Sequence, residues 1–254
     1  MRLLLPPSET KRDGGDGGPV DLELLALPEL NDARRELMDE VAALAADHDV
    51  AMRALKLGPR QSAEVERNRR LHDAPSMPAI DRYTGVLFDA LDARTLSAEA
   101  RSYAADTVMV HSALFGLIGA LDPIPAYRLS HDSRIPGIRL RQFWRPRLEA
   151  TLAERPGLIV DLRSEGYVHL GPAPVREDSV FVRVISVGDD GRRRALNHFN
   201  KTAKGAFTRA VLESRPTAES VDELIEWARL AGFGLDFAED ADPATGVREL
   251  ELLA

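Results

Sequence analysis

The sequence contains no cysteine. Its absence removes disulfides, thiolate metal ligands and thiol nucleophiles together, and it fits a reducing compartment such as the cytoplasm. No apolar run reaches the roughly 18 residues that a membrane-spanning helix needs, so no membrane partner is expected. The opening MRLLLPPSET has an apolar stretch too short for a secretory signal, and no small-residue cleavage site follows it. Histidines His48, His72, His111, His131, His169 and His198 are scattered, without HxH or HxxxH spacing, so no metal centre is expected. Neither GxGxxG after a strand nor GxxxxGK[ST] occurs, which excludes those nucleotide loops, and no cofactor is indicated. Positive charge is in the minority: 33 Lys and Arg face 41 Asp and Glu, for a net charge of -8. That balance argues against a generally basic nucleic-acid coat and leaves room for a local basic cleft.

What is present is a 254-residue chain, 44% hydrophobic, long enough to bury a sizeable core. Arg2 to Leu5 reads as a buried strand stopped by Pro6-Pro7, and the glycine-rich Arg12 to Pro19 as a flexible loop. Leu30, Ala33, Leu37, Val41 and Leu44 recur at helical spacing, with Asn31 and Asp32 placed to cap. Helices are expected over Asp49 to Leu57, ended by Gly58-Pro59, and over Ser62 to Leu71, with ERNRR on a solvated face. Ser97 caps a helix through Ala105, before the β-branched TVMVHS. QFWRPRLEATLAE is amphipathic, GLIVDL is a buried strand, and SVFVRVISVGDDGRRRALNHF reads as two strands around a DDG turn. A helix from Asn200, a capped helix in TAESVDELIEWARLAG and a strand in VRELELL complete the chain. Helices and strands mix without the regular alternation of a doubly wound sheet, and no repeat or linker interrupts them. One α+β domain over residues 1–254 is expected, a single mixed α/β body around a central β-sheet.

Three stretches place chemistry at strand ends, where clefts commonly form. LLPPSETK sets Ser8, Glu9 and Lys11 after a buried strand, and a lysine whose charge is disfavoured there can act as base or Schiff-base nucleophile. VDLRSEGY repeats the pattern with Asp161, Arg163, Ser164 and Tyr167. LNHFNKTAKGAFTRAVLE runs from a strand into a helix through His198, Asn200 and Lys201. On that helix Ala203, Phe207, Ala210 and Val211 form a packing face, with Lys201, Lys204, Gly205 and Thr208 opposite and Arg209 at the margin. The second side is either an ordinary solvated face or an anion site, with Gly205 allowing close approach of a ligand to the backbone. RYTGVL and AYRLS pair tyrosine with arginine, which supplies a stacking face beside a planar fork for phosphate or carboxylate. GLIGALDPIPAY carries a glycine turn like half of a helix-hairpin-helix.

The segments LLPPSETK, RYTGVLFDAL, SALFGLIGALDPIPAYRL, QFWRPRLEATL, IVDLRSEGY and HFNKTAKGAFTRAVLE, in this order, resemble the YaaA family of bacterial peroxide-stress proteins, in the forms of its actinobacterial branch. The SETK form departs from the family's SPxK pattern by placing Glu9 between serine and lysine. The resemblance implies a single mixed α+β body with a polar, basic cleft and a helix-hairpin-helix-like element. It also implies DNA binding and protection from hydrogen peroxide through control of free iron. The implied cleft residues are Ser8, Lys11, Tyr83, Thr84, Gly85, Ser112, Tyr127, Arg128, Trp144, Asp161, Ser164, Tyr167, His198, Asn200, Lys201, Lys204 and Arg209.

Two functions are compatible with these residues. In the first, a DNA-binding stress protein grips duplex or branched DNA through the glycine turn near Gly116 to Leu121 and the Lys201, Lys204 and Arg209 face. In the second, an enzyme acts on a nucleotide, nucleobase or other small anionic metabolite, conceivably by C–N bond cleavage. Lys11 is then nucleophile or base, Asp161 the orienting or acid-base carboxylate, Ser8 and Tyr167 further catalytic residues, and Arg128 and Lys201 the anion clamps.

Overall fold

Three consecutive leucines in Arg2–Leu5 (β1), all fully buried, leave this strand no polar face, the pattern of a strand covered on both sides. In the computed structural model, which describes residues 1–187, 193–195, 200–238 and 247–254, β1 lies at the centre of a mixed sheet. The remaining strands are Ser76–Pro78 (β2), Val108–Ser112 (β3), Gly116–Gly119 (β4), Pro123–Pro125 (β5), Ile159–Asp161 (β6), Ser179–Val187 (β7), Arg193–Ala195 (β8), Leu235–Phe237 (β9) and Arg248–Leu253 (β10). The large sheet runs β4-β3-β1-β6-β7-β10-β9, with β8 also paired to β7, while β2 and β5 form a separate antiparallel pair. Its centre, from β3 to β10, is parallel, and β4, β8 and β9 join antiparallel.

Around the sheet lie Asn31–Leu44 (α1), His48–Ala54 (α2), Ala63–Arg69 (α3), Ala79–Arg82 (α4), Val86–Leu91 (α5), Ala98–Thr107 (α6), Leu140–Ala153 (α7), Glu165–Val168 (α8), Asn200–Ser214 (α9) and Val221–Leu230 (α10). The expected mixed α/β body with a central sheet is what forms. Local signals placed several boundaries: the Ser97 hydroxyl accepts from the Ala100 amide at the start of α6, and Ser220 does the same for Glu223 at α10. The two strands of the SVFVRVISV hairpin pair as expected, and its DDG turn lies outside the described residues.

Four local expectations are corrected. The glycine turn of GLIGAL is no turn between helices: Gly116–Gly119 is the fully buried strand β4, paired with β3. Gly116 has φ +67°, and a Cβ there would meet the Trp144 ring at 2.9 Å, so glycine serves core packing. Trp144 itself is fully buried behind β4, its indole N–H donating to Ala113 O at 2.8 Å. Asn31 does not cap α1; its side chain accepts from Arg34, whose buried guanidinium also satisfies the carbonyls of Ala26, Phe115 and Leu117. Asn68, in the ERNRR stretch, is fully buried, because its amide pairs with both the N–H and the C=O of Arg128 at 2.7 Å. The Arg12 to Pro19 loop is tied down, Gly17 exchanging main-chain hydrogen bonds with Ser76.

Candidate functional site

Because β1, β3 and β6 are parallel, their carboxyl ends open along one edge of the sheet. The chain passes from β1 to β3 on one side and later returns to β6 on the other, which makes the β1–β6 junction a topological switch point. A cavity of about 370 Å³ lies there. One wall is the exit of β1, Pro6 to Thr10; a second is Ser164 and Tyr167 beyond β6. Ser130 and His131 form a third side, and Asn200, Lys201 and Lys204 from the first turns of α9 form the fourth.

Behind the β1 wall sits Lys11, 6% exposed. Its ammonium donates to Ser8 O at 3.0 Å and Glu9 O at 3.4 Å, and stands 4.0 Å from the centroid of the Tyr127 ring and 5.3 Å from that of Tyr83. Burial, reinforced by the nearby Arg128 charge, pulls the Lys11 amine down to about 7. The phenols of Tyr83 and Tyr127 are 2.8 Å apart, and Tyr127 is 2.7 Å from the Ser112 hydroxyl. That hydroxyl also accepts from the amides of Leu114 and Phe115. Burial holds Tyr83, Tyr127 and Tyr167 protonated well beyond the ordinary phenol range. Arg128 reaches across to the Glu9 carboxylate at the mouth.

Below the cavity, Arg163 and Asp161 form a bidentate ion pair closed to solvent, at 2.6 and 2.8 Å, and the Arg163 amide donates to the same carboxylate. The guanidinium also donates to His111 Nδ1 at 2.8 Å and Gly171 O at 2.9 Å. Burial and the Arg163 charge push His111 well below its ordinary value, so the ring is neutral, with its proton on Nε2, which has no partner among the described residues. Opposite, Lys204 is 6% exposed, and burial lowers its amine to about 8. Its ammonium donates to Arg163 O at 3.3 Å. Among the described residues, neither Lys11 nor Lys204 is ion-paired to a carboxylate. The site therefore holds two lysines of depressed basicity, a ring of hydroxyls and amides, and a rigid buried ion pair beneath them. Such an arrangement has the chemistry to accept an anion and to move a proton near neutral pH.

A family model described as peroxide stress protein YaaA matches residues 1–239. The chain belongs to that family. A UPF0246 protein of Corynebacterium efficiens is 41% identical over 244 residues, spanning 94% of this chain and 96% of the relative. A UPF0246 protein of Corynebacterium glutamicum (strain R) is 40% identical over 237 residues, spanning 91% and 93%. One from Streptomyces coelicolor is 36% identical over 256 residues, spanning 99% and 97%.

In this YaaA-family chain most of the residues singled out from sequence gather in and around the cavity. Ser8, Ser164, Tyr167, Asn200, Lys201 and Lys204 meet in the cavity. Lys11, Tyr83, Ser112, Tyr127 and Arg128 form the adjoining buried layer, with Thr84 bonded to Thr10 O, and Gly85, at φ +97°, facing the Ser8 and Thr10 hydroxyls. Asp161 lies beneath, with both oxygens taken by Arg163. Arg209 is outside this assembly: its guanidinium binds Leu91 O, Asp92 O, Thr95 and Glu213. His198 lies outside the described residues. Gly205 does not open the backbone to a ligand, because a Cβ there would sit 2.2 Å from Leu87 O, so α5 occupies that side of α9. The sequence placed Arg163 at a polar strand end without its pairing to Asp161, and it did not point to the contributions of His111, His131 and Asn68. Arg163 stood inside a quoted motif, and its arginine two residues after a buried aspartate was the available signal. Among the described residues no His, Asp and Glu cluster is arranged to hold a metal, and no helix is long and apolar enough to cross a membrane.

Proposed function

We propose that this YaaA-family protein serves peroxide defence by holding DNA through its phosphates, with the cavity at the amino end of α9 as the anchor. The observation that carries this reading is Lys204, buried in the cavity wall and, among the described residues, not ion-paired to a carboxylate. A desolvated ammonium is costly unless a counter-charge arrives, and phosphate is such a counter-charge. Lys201, exposed at the rim, extends the positive wall outward. The test is fluorescence anisotropy of a labelled duplex across a salt series. About two or three phosphate contacts give a log–log slope of roughly -2 to -3, and Lys201→Glu weakens binding and flattens that slope. Salt-insensitive binding, or none at low salt, removes the reading.

A second reading is favoured by one specific observation, the Lys11 amine brought to about 7 beside the Tyr83–Tyr127–Ser112 hydroxyl chain. Here Lys11 is base or nucleophile toward a nucleotide, nucleobase or similar anion, with C–N bond cleavage within reach of such chemistry. Asp161 then acts only through Arg163. Peroxide survival of cells carrying Lys11→Ala or Lys204→Glu separates the two. Loss with Lys11→Ala while duplex affinity is intact supports the enzyme; survival with Lys11→Ala and loss with Lys204→Glu supports DNA binding alone.

A further inference from the structure

The anion cavity is one end of a longer groove. It shares His131, Ser164, Asn200 and Lys204 with a neighbouring cavity of about 400 Å³. That cavity in turn shares Glu165, Phe181 and Arg183 with a third chamber of about 290 Å³. The three run from the carboxyl ends of β1 and β6 along the Phe181 to Val184 stretch of β7, past the start of α8. Their chemistry changes along the way. The first end is cationic and hydroxyl-rich, whereas the far chamber is walled by Val168, Pro172, Ala173 and the Phe181 ring.

Phe181 stands at the join, its ring centroid 5.6 Å from the Lys204 ammonium. Three carboxylates line the chamber, and Asp161 among them has both oxygens taken by Arg163. Glu249 is held by both ends of the Arg183 fork, at 3.1 and 3.3 Å. Glu165 touches Arg183 through one oxygen only, at 3.3 Å, and its side chain is 69% exposed, so its other oxygen is open to a donor. Phosphate recognition at one end, a flat apolar wall at the other and a carboxylate acceptor beside that wall match one ligand class in chemical order. That class is a nucleotide: phosphate, sugar, then a base with an exocyclic amine.

We propose that the groove takes a single nucleotide unit, its phosphate among Asn200, Lys201 and Lys204, and its amino-bearing base against Phe181 with the amine donated to Glu165. In DNA this unit is an unpaired or everted nucleotide, because a base inside a duplex stack cannot enter a chamber of this kind. The inference rests on the phosphate-binding reading above and adds the identity of the sugar and base attached to that phosphate.

The test is calorimetric titration with deoxyadenosine 5′-monophosphate, deoxythymidine 5′-monophosphate and 2-deoxyribose 5-phosphate. The adenine nucleotide is expected to bind about tenfold tighter than the sugar phosphate, the size of effect that base–aromatic contact supplies. It should also bind more tightly than the thymine nucleotide. Phe181→Leu, which keeps an apolar side chain in the sheet, brings the adenine nucleotide down to the sugar-phosphate level. Glu165→Gln, at an exposed position where folding is not at risk, narrows the adenine-over-thymine preference. Equal binding of all three probes overturns the inference and leaves the phosphate reading standing. Failure of all three to bind, together with no duplex binding at low salt, removes both.

Discussion

Arg163 turns back onto Asp161, two residues earlier in the chain, and closes both oxygens of its carboxylate while its own exposure is 0%. The pair is buried under the cavity, and the same guanidinium fixes His111 and the carbonyl of Gly171. Removing one partner strands the other charge in a dry interior. Asp161→Asn or Arg163→Met is expected to lower stability by about 3–5 kcal/mol, read as a shift in the urea midpoint. The double replacement Asp161→Leu with Arg163→Met should recover much of that loss, since it leaves no unpaired charge.

Lys11 gives a pH signature. Its amine is lowered by burial from 10.5 to about 7, so between those values the unfolded chain holds a proton that the folded chain lacks. Stability therefore rises with pH across that window, and the penalty for burying the charge is complete below about 7. Lys204, lowered to about 8, adds in the same direction over a narrower range. Lys11→Met should flatten the dependence of unfolding free energy on pH above neutrality. NMR of the lysine ε-carbons should show one resonance titrating near 7; a Lys11 signal that stays charged to pH 10 contradicts the assignment.

Gly205→Ala tests the helix contact. By helix propensity alone the change should stabilise α9 by about 1 kcal/mol. The new methyl would lie 2.2 Å from Leu87 O and 2.8 Å from the Ala90 Cβ, so α5 and α9 must separate. Overpacking of this kind costs about 1–3 kcal/mol. The melting temperature is expected to fall, opposite to the propensity argument.

Asn68→Ala removes the partner of a main-chain N–H and C=O at Arg128, both inside the protein. Leaving those groups unsatisfied is expected to cost at least about 2 kcal/mol. Because Arg128 holds Glu9 at the mouth of the cavity, the variant should also change ligand affinity, measured by titration at a temperature where it remains folded.

Much of this was legible in the order of residues. Pro6-Pro7 ended β1 where the structure ends it, Ser97 and Ser220 placed two helix starts, and the polar ends of β1 and β6 meet the start of α9 in one cavity. The features that escaped depend on partners distant in sequence. Gly205 has the same spacing whether a ligand or α5 stands over it, and only the Leu87 carbonyl decides. GLIG reads as a turn or as a strand, because four small and apolar residues have no period to distinguish them; pairing with β3 makes it a strand, and the Trp144 ring, well along the chain, requires glycine at 116. Asn68 looked solvated among charged neighbours, since nothing nearby announces that the Arg128 backbone will need it. The pairing of Arg163 with Asp161 was local enough to be seen, and its link to His111 was not.

The position of β1 also sets an order of events during synthesis. Leu3 pairs with Val108 on one side and Val160 on the other, so β1 leaves the ribosome well before the neighbours it pairs with. Until β3 emerges, three bare leucines and the Ser8 to Lys11 turn have no strand to join, and the other side of β1 stays open until β6 follows. Such non-local pairing closes slowly, and an exposed strand of this kind invites association with other chains. The nascent protein is thus most vulnerable to aggregation while the residues between β1 and β3 are being made, and the cavity comes into existence only once the start of α9 has been added.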